Sequence, residues 1–442
     1  MAPFLPDMFF MKNTIPSDPW YHLRSTLHFD LPISLEKAKS LVEAKNVTQH
    51  SFLPFIRSDK KVRKLPVKSG HDQGKWKTRA IMYAGHGDTH VFSYYGFMLQ
   101  GLYEERIKPC SDSILAYRKL GKSNIYFAKE VFDHIRQRSE GVAITMDITG
   151  FYDNLDHHLL KQQWQSLLGL PSLPNDHYSV YKAITRFSFL DKTQAYSHRD
   201  PTGIRCLYPV QKMRELIKSG RLNIGYNRNP FGIPQGSPMS GLLANIYMFD
   251  FDRKLTEEAI KRNAFYRRYS DDILLTCDGA DSDYFQNLIR ESLHEIRLTE
   301  NPKKTTISVF SQPNDALEIR PALQYLGFEF DGKRILIRSA TISCHKKKAA
   351  YCIKKELKHA KRSGFESIRR KKIYSYYSHL RNLMVPDCNP RKQRNFHTYV
   401  EEAARILKSP PIQEQMRLHW LWLHRKINAA NKKLHEFKNA GE

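Results

Sequence analysis

The sequence predicts an α+β fold, and three observations carry that prediction. Short apolar runs such as Val142–Met146 and Ile273–Thr276 have the length and the β-branched content of single strands. Between them lie longer stretches with helical spacing, among them 88–107, 124–138 and 157–168. From about Thr341 the text becomes helical and rich in Lys, Arg and Tyr, with 24 basic against 8 acidic residues.

Composition narrows the function classes. Hydrophobic content of 41% and aromatic content of 12% describe a chain that folds rather than one that stays disordered. The net charge of +26 is too large for an ordinary mixed-sign surface, and it points to a polyanionic partner, nucleic acid before others. More than half of that surplus lies beyond Thr341. The 6 cysteines are scattered without a Cys-x-x-Cys pair, which argues against a zinc ribbon or a disulfide framework and fits a reducing compartment. Cys344-His345 and Cys352 share one basic segment, but metal ligation there is a weaker reading than ordinary buried or exposed thiols. Met1–Lys12 lacks the basic start and long apolar core of a signal peptide, and no run is long enough to span a bilayer. The expectation is a cytoplasmic protein with no membrane contact.

Taken in order, residues 1–75 are punctuated by Pro and Lys, with a helix expected over Ser34–Ala44 and a basic loop over Asp59–Lys68. An extended basic segment, Lys75–Arg79, leads into a strand at Ala80–Tyr83, and Asp88–Ile107 follows as an aromatic-rich helix. Ala116-Tyr117-Arg118-Lys119 falls in a basic and aromatic loop, and Asn124–Arg138 is the next helix. The Val142–Met146 strand ends in Asp147, and His157–Leu168 is helical. Residues 171–230 read as loop. The Gly232–Ser240 loop opens an apolar helix from Gly241 to about Leu255, with Ser240 as its N-cap. A helix over Asp283–Ile296, a strand to Phe310 and the Leu323–Phe330 segment come later. Pro386–Pro390 and Pro410-Pro411 break the C-terminal helices.

Chemistry is concentrated where Phe265–Tyr269, aromatic and basic, meets Ile273–Thr276 through Ser270-Asp271-Asp272, a hairpin tip. Adjacent carboxylates repel unless a cation sits between them. Oxygen ligands of this kind select hard divalent ions, Mg²⁺ or Mn²⁺. A bare Asp-Asp pair is most often a solvated turn, but two further signals outweigh that reading. The strand ending in Asp147 is followed by an aromatic, Tyr152, and Pro234-Gln235-Gly236-Ser237-Pro238 stands at a helix start.

In that order, with Lys304-Thr305 and Leu326-Gly327-Phe328 following, these segments resemble the catalytic domain of reverse transcriptases over about residues 75–335. The resemblance implies a right-hand polymerase. Its N-terminal extension and fingers would occupy 1–140. A ferredoxin-like, RRM-like palm would occupy 141–335, with an inserted fingers or loop region at 171–230, and a basic α-helical thumb 336–442. It implies that Asp147 and Asp271, with Asp272 and the backbone carbonyl of Ile148, hold two Mg²⁺ ions, Mn²⁺ being the alternative. Tyr152 would lie under the sugar and exclude a 2′-hydroxyl, with Phe151 as the core aromatic, although the two could exchange roles. Gln235 and Gly236 would meet the incoming nucleotide and Lys77 and Arg79 its triphosphate. Lys304, rather than Lys303, would protonate the leaving pyrophosphate. Tyr269 and Leu326-Gly327-Phe328 would grip the primer terminus. Lys346, Lys347, Lys348, Arg369 and Arg370 would follow primer or template phosphates, with Tyr374, Tyr376 and Tyr377 divided between stacking and core. Asp153 and Asp156 read as structural acids.

Arg79–Asp88 followed by Ser93-Tyr94-Tyr95 resembles the bacterial defence-associated reverse transcriptases, related to retron and abortive-infection enzymes. That likeness implies an RNA-directed DNA polymerase that copies a structured non-coding RNA into DNA from dNTPs and protects against phage. A second copy of the chain or an operon-encoded protein would be its further partner. A retron-type enzyme making branched RNA–DNA is one alternative. However, the retron Asn-Ala-x-x-His and Val-Thr-Gly motifs are missing apart from Asn263-Ala264, and Ser270 stands where retrons mostly carry alanine. A non-catalytic RNA-binding scaffold is the other, and it leaves three intact acids without a purpose. No second acidic cluster suggests an RNase H site, and no Cys-rich nuclease segment is present.

Overall fold

The computed structural model describes residues 18–63, 76–199, 206–313, 316–378 and 395–439. The fold is mixed α+β. Its strands are β1 (Phe55–Arg63), β2 (Trp76–Tyr83), β3 (Gly141–Asp147), β4 (Ser188–Asp191), β5 (Ile224–Tyr226), β6 (Phe265–Tyr269), β7 (Asp272–Cys277), β8 (Thr306–Ser311), β9 (Glu318–Arg320), β10 (Leu323–Tyr325), β11 (Phe328–Phe330) and β12 (Ile335–Ile337). They build three sheets, ordered β2-β1-β4-β5, β6-β7-β3-β8-β9 and β10-β11-β12.

The five-stranded sheet is antiparallel throughout and is covered on both faces. Successive strand residues point to opposite sides. Val142, Ile144 and Met146 therefore enter one core, which they share with residues of the helices His86–Arg106, His157–Leu168, Phe249–Lys261 and Ser282–Glu295. Ala143, with Leu274 and Phe310, enters a second core under β10–β12 and the helices Asn124–Arg138 and Phe396–Ile406. Double coverage favours apolar residues on both faces, which is why β3 and β7 read as mostly apolar runs rather than as alternating ones. Each fully buried side chain such as Leu274 contributes about 1.5–3 kcal/mol by leaving water. The acids at the ends of β3 and β7 thus stand on a stiff platform.

The helices Asn124–Arg138 and His157–Leu168 have the ends that their sequence predicts. Other segments differ from expectation. Asp59–Arg63 is not loop but part of β1, which pairs antiparallel with β2 in register Lys60 to Arg79; residues 64–68 lie outside the described residues. The stretch 171–230 holds helices at Asn175–Thr185, Lys192–Ser197 and Val210–Lys218, besides β4 and β5. There β4 pairs in parallel with β1, a long-range partnership that local pattern cannot announce. Ser240 is not the N-cap of its helix but its first residue, after Met239, and its hydroxyl donates to the Pro234 carbonyl at 2.7 Å. That helix ends at Tyr247, and a second, Phe249–Lys261, follows Met248. Pro410-Pro411 starts a short helix, Pro410–Glu414, with proline at a position whose N–H needs no partner. The break expected at Pro386–Pro390 lies outside the described residues.

Candidate active site

Asp147 ends β3 directly opposite Asp272, the first residue of β7. The β6–β7 hairpin turns through Ser270, at φ 60°, and Asp271. The Ile148 N–H donates to the Asp271 carbonyl at 3.0 Å, which ties the hairpin tip to the end of β3. One edge of the sheet thereby gathers all three acids. Ile148 forms an antiparallel bridge with Glu300 that uses the carbonyls of Asp147 and Thr299, and leaves the Ile148 carbonyl out of the ladder.

The charges around these acids are unbalanced. Lys304 forms an ion pair with Asp147, and Lys303 beside it is exposed. Among the described residues no ion pair reaches Asp271 or Asp272. Burial, then the neighbouring carboxylates of Asp271 and Asp147, push the Asp272 carboxyl up to about 6. Three carboxylates gathered at one sheet edge, with one cation among them and only oxygen donors, are of the ligand type that a hard divalent ion takes. The sign of the pH effect follows. Asp272 holds its proton more tightly in the folded protein than in the unfolded chain, so this group withdraws stability as pH rises from about 4 to 6, and adds no further change above. In EDTA, urea unfolding of the wild type should weaken over that window by about 1–3 kcal/mol relative to Asp272→Asn. Parallel wild-type and variant profiles would contradict the assignment.

Tyr152 and Phe151 divide their roles by burial. Phe151 belongs to the large core, whereas Tyr152 is half-buried against its edge. The Tyr152 hydroxyl donates to the Tyr117 oxygen at 2.6 Å, and Tyr117 in turn lies 3.2 Å from Ser270 Oγ. Burial, then Tyr117, raises the Tyr152 hydroxyl pKa far above its usual value, so it remains a donor. The Gln235 loop is fastened at two points, to the Tyr152 backbone and to β2. The Ile233 N–H donates to the Tyr152 carbonyl at 2.9 Å, and the Met82 N–H of β2 donates to the Gln235 carbonyl at 2.8 Å. Gly236 has φ 120°, and a Cβ there would collide with the Met82 carbonyl; only glycine permits that approach. Arg79 lies three residues earlier on β2 and is half-buried, while the Lys77 side chain lies outside the described residues.

Behind the hairpin lies a fully buried ion pair. Arg268, on β6, makes a bidentate contact with Asp252, Nε to Oδ1 at 2.7 Å and Nη2 to Oδ2 at 2.5 Å, and both residues are 0% exposed. The same guanidinium donates to the Ser270 carbonyl at 3.0 Å and to Asn245 Oδ1 at 3.2 Å. Tyr266 completes the carboxylate's shell at 2.7 Å. A left-handed non-glycine residue such as Ser270 persists only where its surroundings over-determine it, and Arg268 supplies that constraint.

Leu326 and Gly327 form a two-residue turn, both at positive φ, with Tyr325 opposite Phe328. Asn124 Nδ2 donates to the Leu326 carbonyl at 3.0 Å and the Arg338 N–H to the Gly327 carbonyl at 3.0 Å. The Phe328 side chain is buried, so the turn's backbone rather than this ring faces outward. Tyr269 packs near Phe127, at 6.2 Å between rings. In the C-terminal helices Lys347, Lys348 and Arg370 are exposed and Lys346 is half-buried. Arg369 is exposed as well and also makes a contact within the fold. Its Nε donates to Glu356 at 2.6 Å, and Lys372 reaches the same carboxylate at 3.3 Å. A buried carboxylate demands such partners; burial would raise the Glu356 pKa, but these two cations hold it below the usual value. Tyr374 is core, Tyr377 packs against that core and Tyr376 is exposed. Asp156 caps His157–Leu168 through the Leu159 N–H at 3.0 Å and pairs with Arg297 at 2.5 Å, while Asp153 is exposed.

Tyr117, Ser270, Arg268, Asp252 and Asn245 are the supporting residues that motif reading passes over. Only Gly241 signals one of them, because a Cβ there would strike the Tyr117 ring.

The family described as "Reverse transcriptase (RNA-dependent DNA polymerase)" matches residues 95–330. No curated protein matches the chain. Among solved structures, apo telomerase from Candida tropicalis is 11% identical, with a TM-score of 0.39 over 67% of this chain and 58% of the telomerase. Telomerase from Candida albicans, in complex with a fragment of telomeric RNA, is 12% identical, with a TM-score of 0.40 over 89% of this chain and 58% of the other. The RNA-dependent RNA polymerase of a human picobirnavirus is 12% identical, with a TM-score of 0.35 over 63% of this chain and 43% of the other. No described helix is long and apolar enough to cross a membrane.

Proposed function

The chain belongs to the reverse transcriptase family, and on that footing we propose that it is an RNA-templated DNA polymerase acting through Asp147, Asp271 and Asp272. The observation that supports this reading most is the meeting of these three under-neutralised carboxylates with the anchored Tyr152 ring at one sheet edge. Two divalent ions, Mg²⁺ or Mn²⁺, held by the acids and the Ile148 carbonyl would supply Lewis-acid activation of a primer 3′-hydroxyl and charge neutralisation on the leaving pyrophosphate. The protein's own residues set the rest. Attack joins the 3′-oxygen to the α-phosphorus and breaks the bond to the oxygen bridging to the β-phosphate. Lys304, which pairs with Asp147 at rest, would give the leaving pyrophosphate its proton. Arg79 and Lys77, both on β2, would meet the triphosphate, and Gln235, whose carbonyl accepts from the Met82 N–H, would contact the base or sugar. The exposed Lys347, Lys348 and Arg370 would follow the nucleic-acid backbone. In this reading 1–140 are extension and fingers, 141–335 palm and 336–442 thumb.

Tyr152 makes the product DNA. In this reading its ring would fill the space that a 2′-hydroxyl needs, so Tyr152→Ala should reduce discrimination between dNTPs and NTPs by about 10–200-fold, the range for one small group in a pocket. Tyr117→Phe, which removes one hydrogen bond of about 1 kcal/mol from the anchor, should reduce it only a few-fold. Competition between a dNTP and its NTP in primer extension checks both. Unchanged discrimination in Tyr152→Ala would remove the gate assignment.

We read the protein further as a bacterial, cytoplasmic, defence-associated enzyme whose template is a structured non-coding RNA, on the resemblance carried by Arg79–Asp88 and Ser93-Tyr94-Tyr95. Purification from its native operon, followed by sequencing of the bound nucleic acid, tests this. One dominant small RNA with complementary DNA that disappears in Asp271→Ala/Asp272→Ala supports it. A 2′–5′ branched product would favour the retron-type alternative, and bound RNA without variant-sensitive DNA would favour a scaffold.

A further inference from the structure

We infer that His345, His397 and His419 form a second metal site, a structural Zn²⁺ centre where three C-terminal helices meet. His345 lies in the second turn of the Ser339–Arg362 helix, His397 in the first turn of Phe396–Ile406, and His419 opens His419–Asn439. Each offers a ring nitrogen within 4.8 Å of the other two. All three are buried, at 6%, 7% and 3% exposure. The rings of His397 and His419 lie 4.2 Å apart and those of His345 and His419 5.2 Å apart. Tetrahedral zinc, with Zn–N bonds of about 2.0–2.1 Å, separates its nitrogens by roughly 3.4 Å. Small side-chain rotations therefore close the set.

Two observations point to a ligand rather than to packing. Nε2 of His345 is buried without a hydrogen-bond partner among the described residues, a state that native interiors avoid. Nε2 of His419 donates to the Tyr377 carbonyl at 2.5 Å, which leaves the lone pair on Nδ1. A backbone carbonyl behind the ring is how metal-bound imidazoles are oriented and their tautomer fixed. Phe396 stacks on His345 at 4.3 Å and supplies an apolar wall.

The donor set selects the ion. Three imidazoles with no carboxylate suit Zn²⁺ and do not suit Mg²⁺, so the site is chemically separate from the acid cluster. The three histidines are far apart in sequence, and an ion among them would tie together helices that otherwise meet through side-chain packing. It would fix the helix bearing Lys346, Lys347 and Lys348 against Phe396–Ile406, which packs with β10–β12 in the second core.

The test uses the full-length chain, stripped with EDTA and returned to Mg²⁺ buffer. Zn²⁺ is added and bound metal counted by mass spectrometry, with Co²⁺ substituted for absorption spectroscopy. The expected result is one Zn²⁺ per chain and the visible bands of low-coordinate Co²⁺. Affinity should fall more than about 100-fold in His345→Gln and in His419→Gln, beyond the effect of losing an outer-shell partner. It should not change in Asp271→Asn/Asp272→Asn. No stoichiometric uptake by the wild type, equal uptake by His345→Gln, or uptake lost with the acids instead of the histidines would each overturn the site. The wild-type Co²⁺ spectrum decides the matter even if a histidine variant does not fold, because missing bands refute the site alone.

Discussion

Asp271→Asn should lower the rate of nucleotide addition about 10³-fold or more while leaving the protein at least as stable as the wild type. Asparagine keeps the size of the side chain and removes its charge, so the hairpin turn, the Ile148–Asp271 backbone bond and the Arg268 contacts persist. The loss in rate follows from losing a charge that would hold a divalent ion; such an ion contributes several kcal/mol to charge stabilisation, and about 4 kcal/mol is a factor of 10³. The stability effect has the opposite sign, because Asp271 is the neighbouring charge that, after burial, does most to raise the Asp272 pKa. Removing it relieves repulsion. Single-turnover extension and urea unfolding in EDTA measure the two quantities. A variant that is inactive and also strongly destabilised would show Asp271 to be structural.

Arg268→Met should destabilise the protein by about 3–5 kcal/mol, because it strands the Asp252 carboxylate in a fully buried position. The guanidinium satisfies both Asp252 oxygens, the Ser270 carbonyl and Asn245, and methionine satisfies none of them. Arg268→Lys should recover little, since an ammonium cannot reproduce the bidentate fork. Arg268→Met/Asp252→Leu should be less destabilised than Arg268→Met alone, because no charge is then left unpaired. Urea unfolding of the set measures this. A cost below about 1 kcal/mol for Arg268→Met would contradict a network that governs the hairpin.

How much of this was legible from sequence depends on whether a signal is local. Asp147 at a strand end and Asp271-Asp272 between two strand-like runs announce themselves, because strand pattern and paired acids are read within a few residues. Gly236 is legible for a similar reason, as a glycine between a fixed proline-led turn and a helix. Arg268 gives no such sign. In sequence it belongs to a basic strand, and only the fold brings Asp252 and Asn245 against it. Tyr117 reads as part of a basic loop, yet it holds the Tyr152 hydroxyl from a distant segment. β4 was hidden because its partner, β1, lies far upstream. Arg369 reads as one more cation of a basic helix, and only the fold shows that it also pairs with the buried Glu356. The three histidines share no spacing motif, and only the meeting of the C-terminal helices shows them as a set.

The most direct measurement is primer extension on an RNA template of mixed sequence, with Mg²⁺ and each dNTP supplied singly, using wild type and Asp271→Asn side by side. The expected result is addition of the dNTP complementary to the template base by the wild type, and none at comparable times by the variant. Addition that ignores the template, or equal addition by both proteins, would contradict RNA-templated synthesis at the Asp147–Asp271–Asp272 cluster.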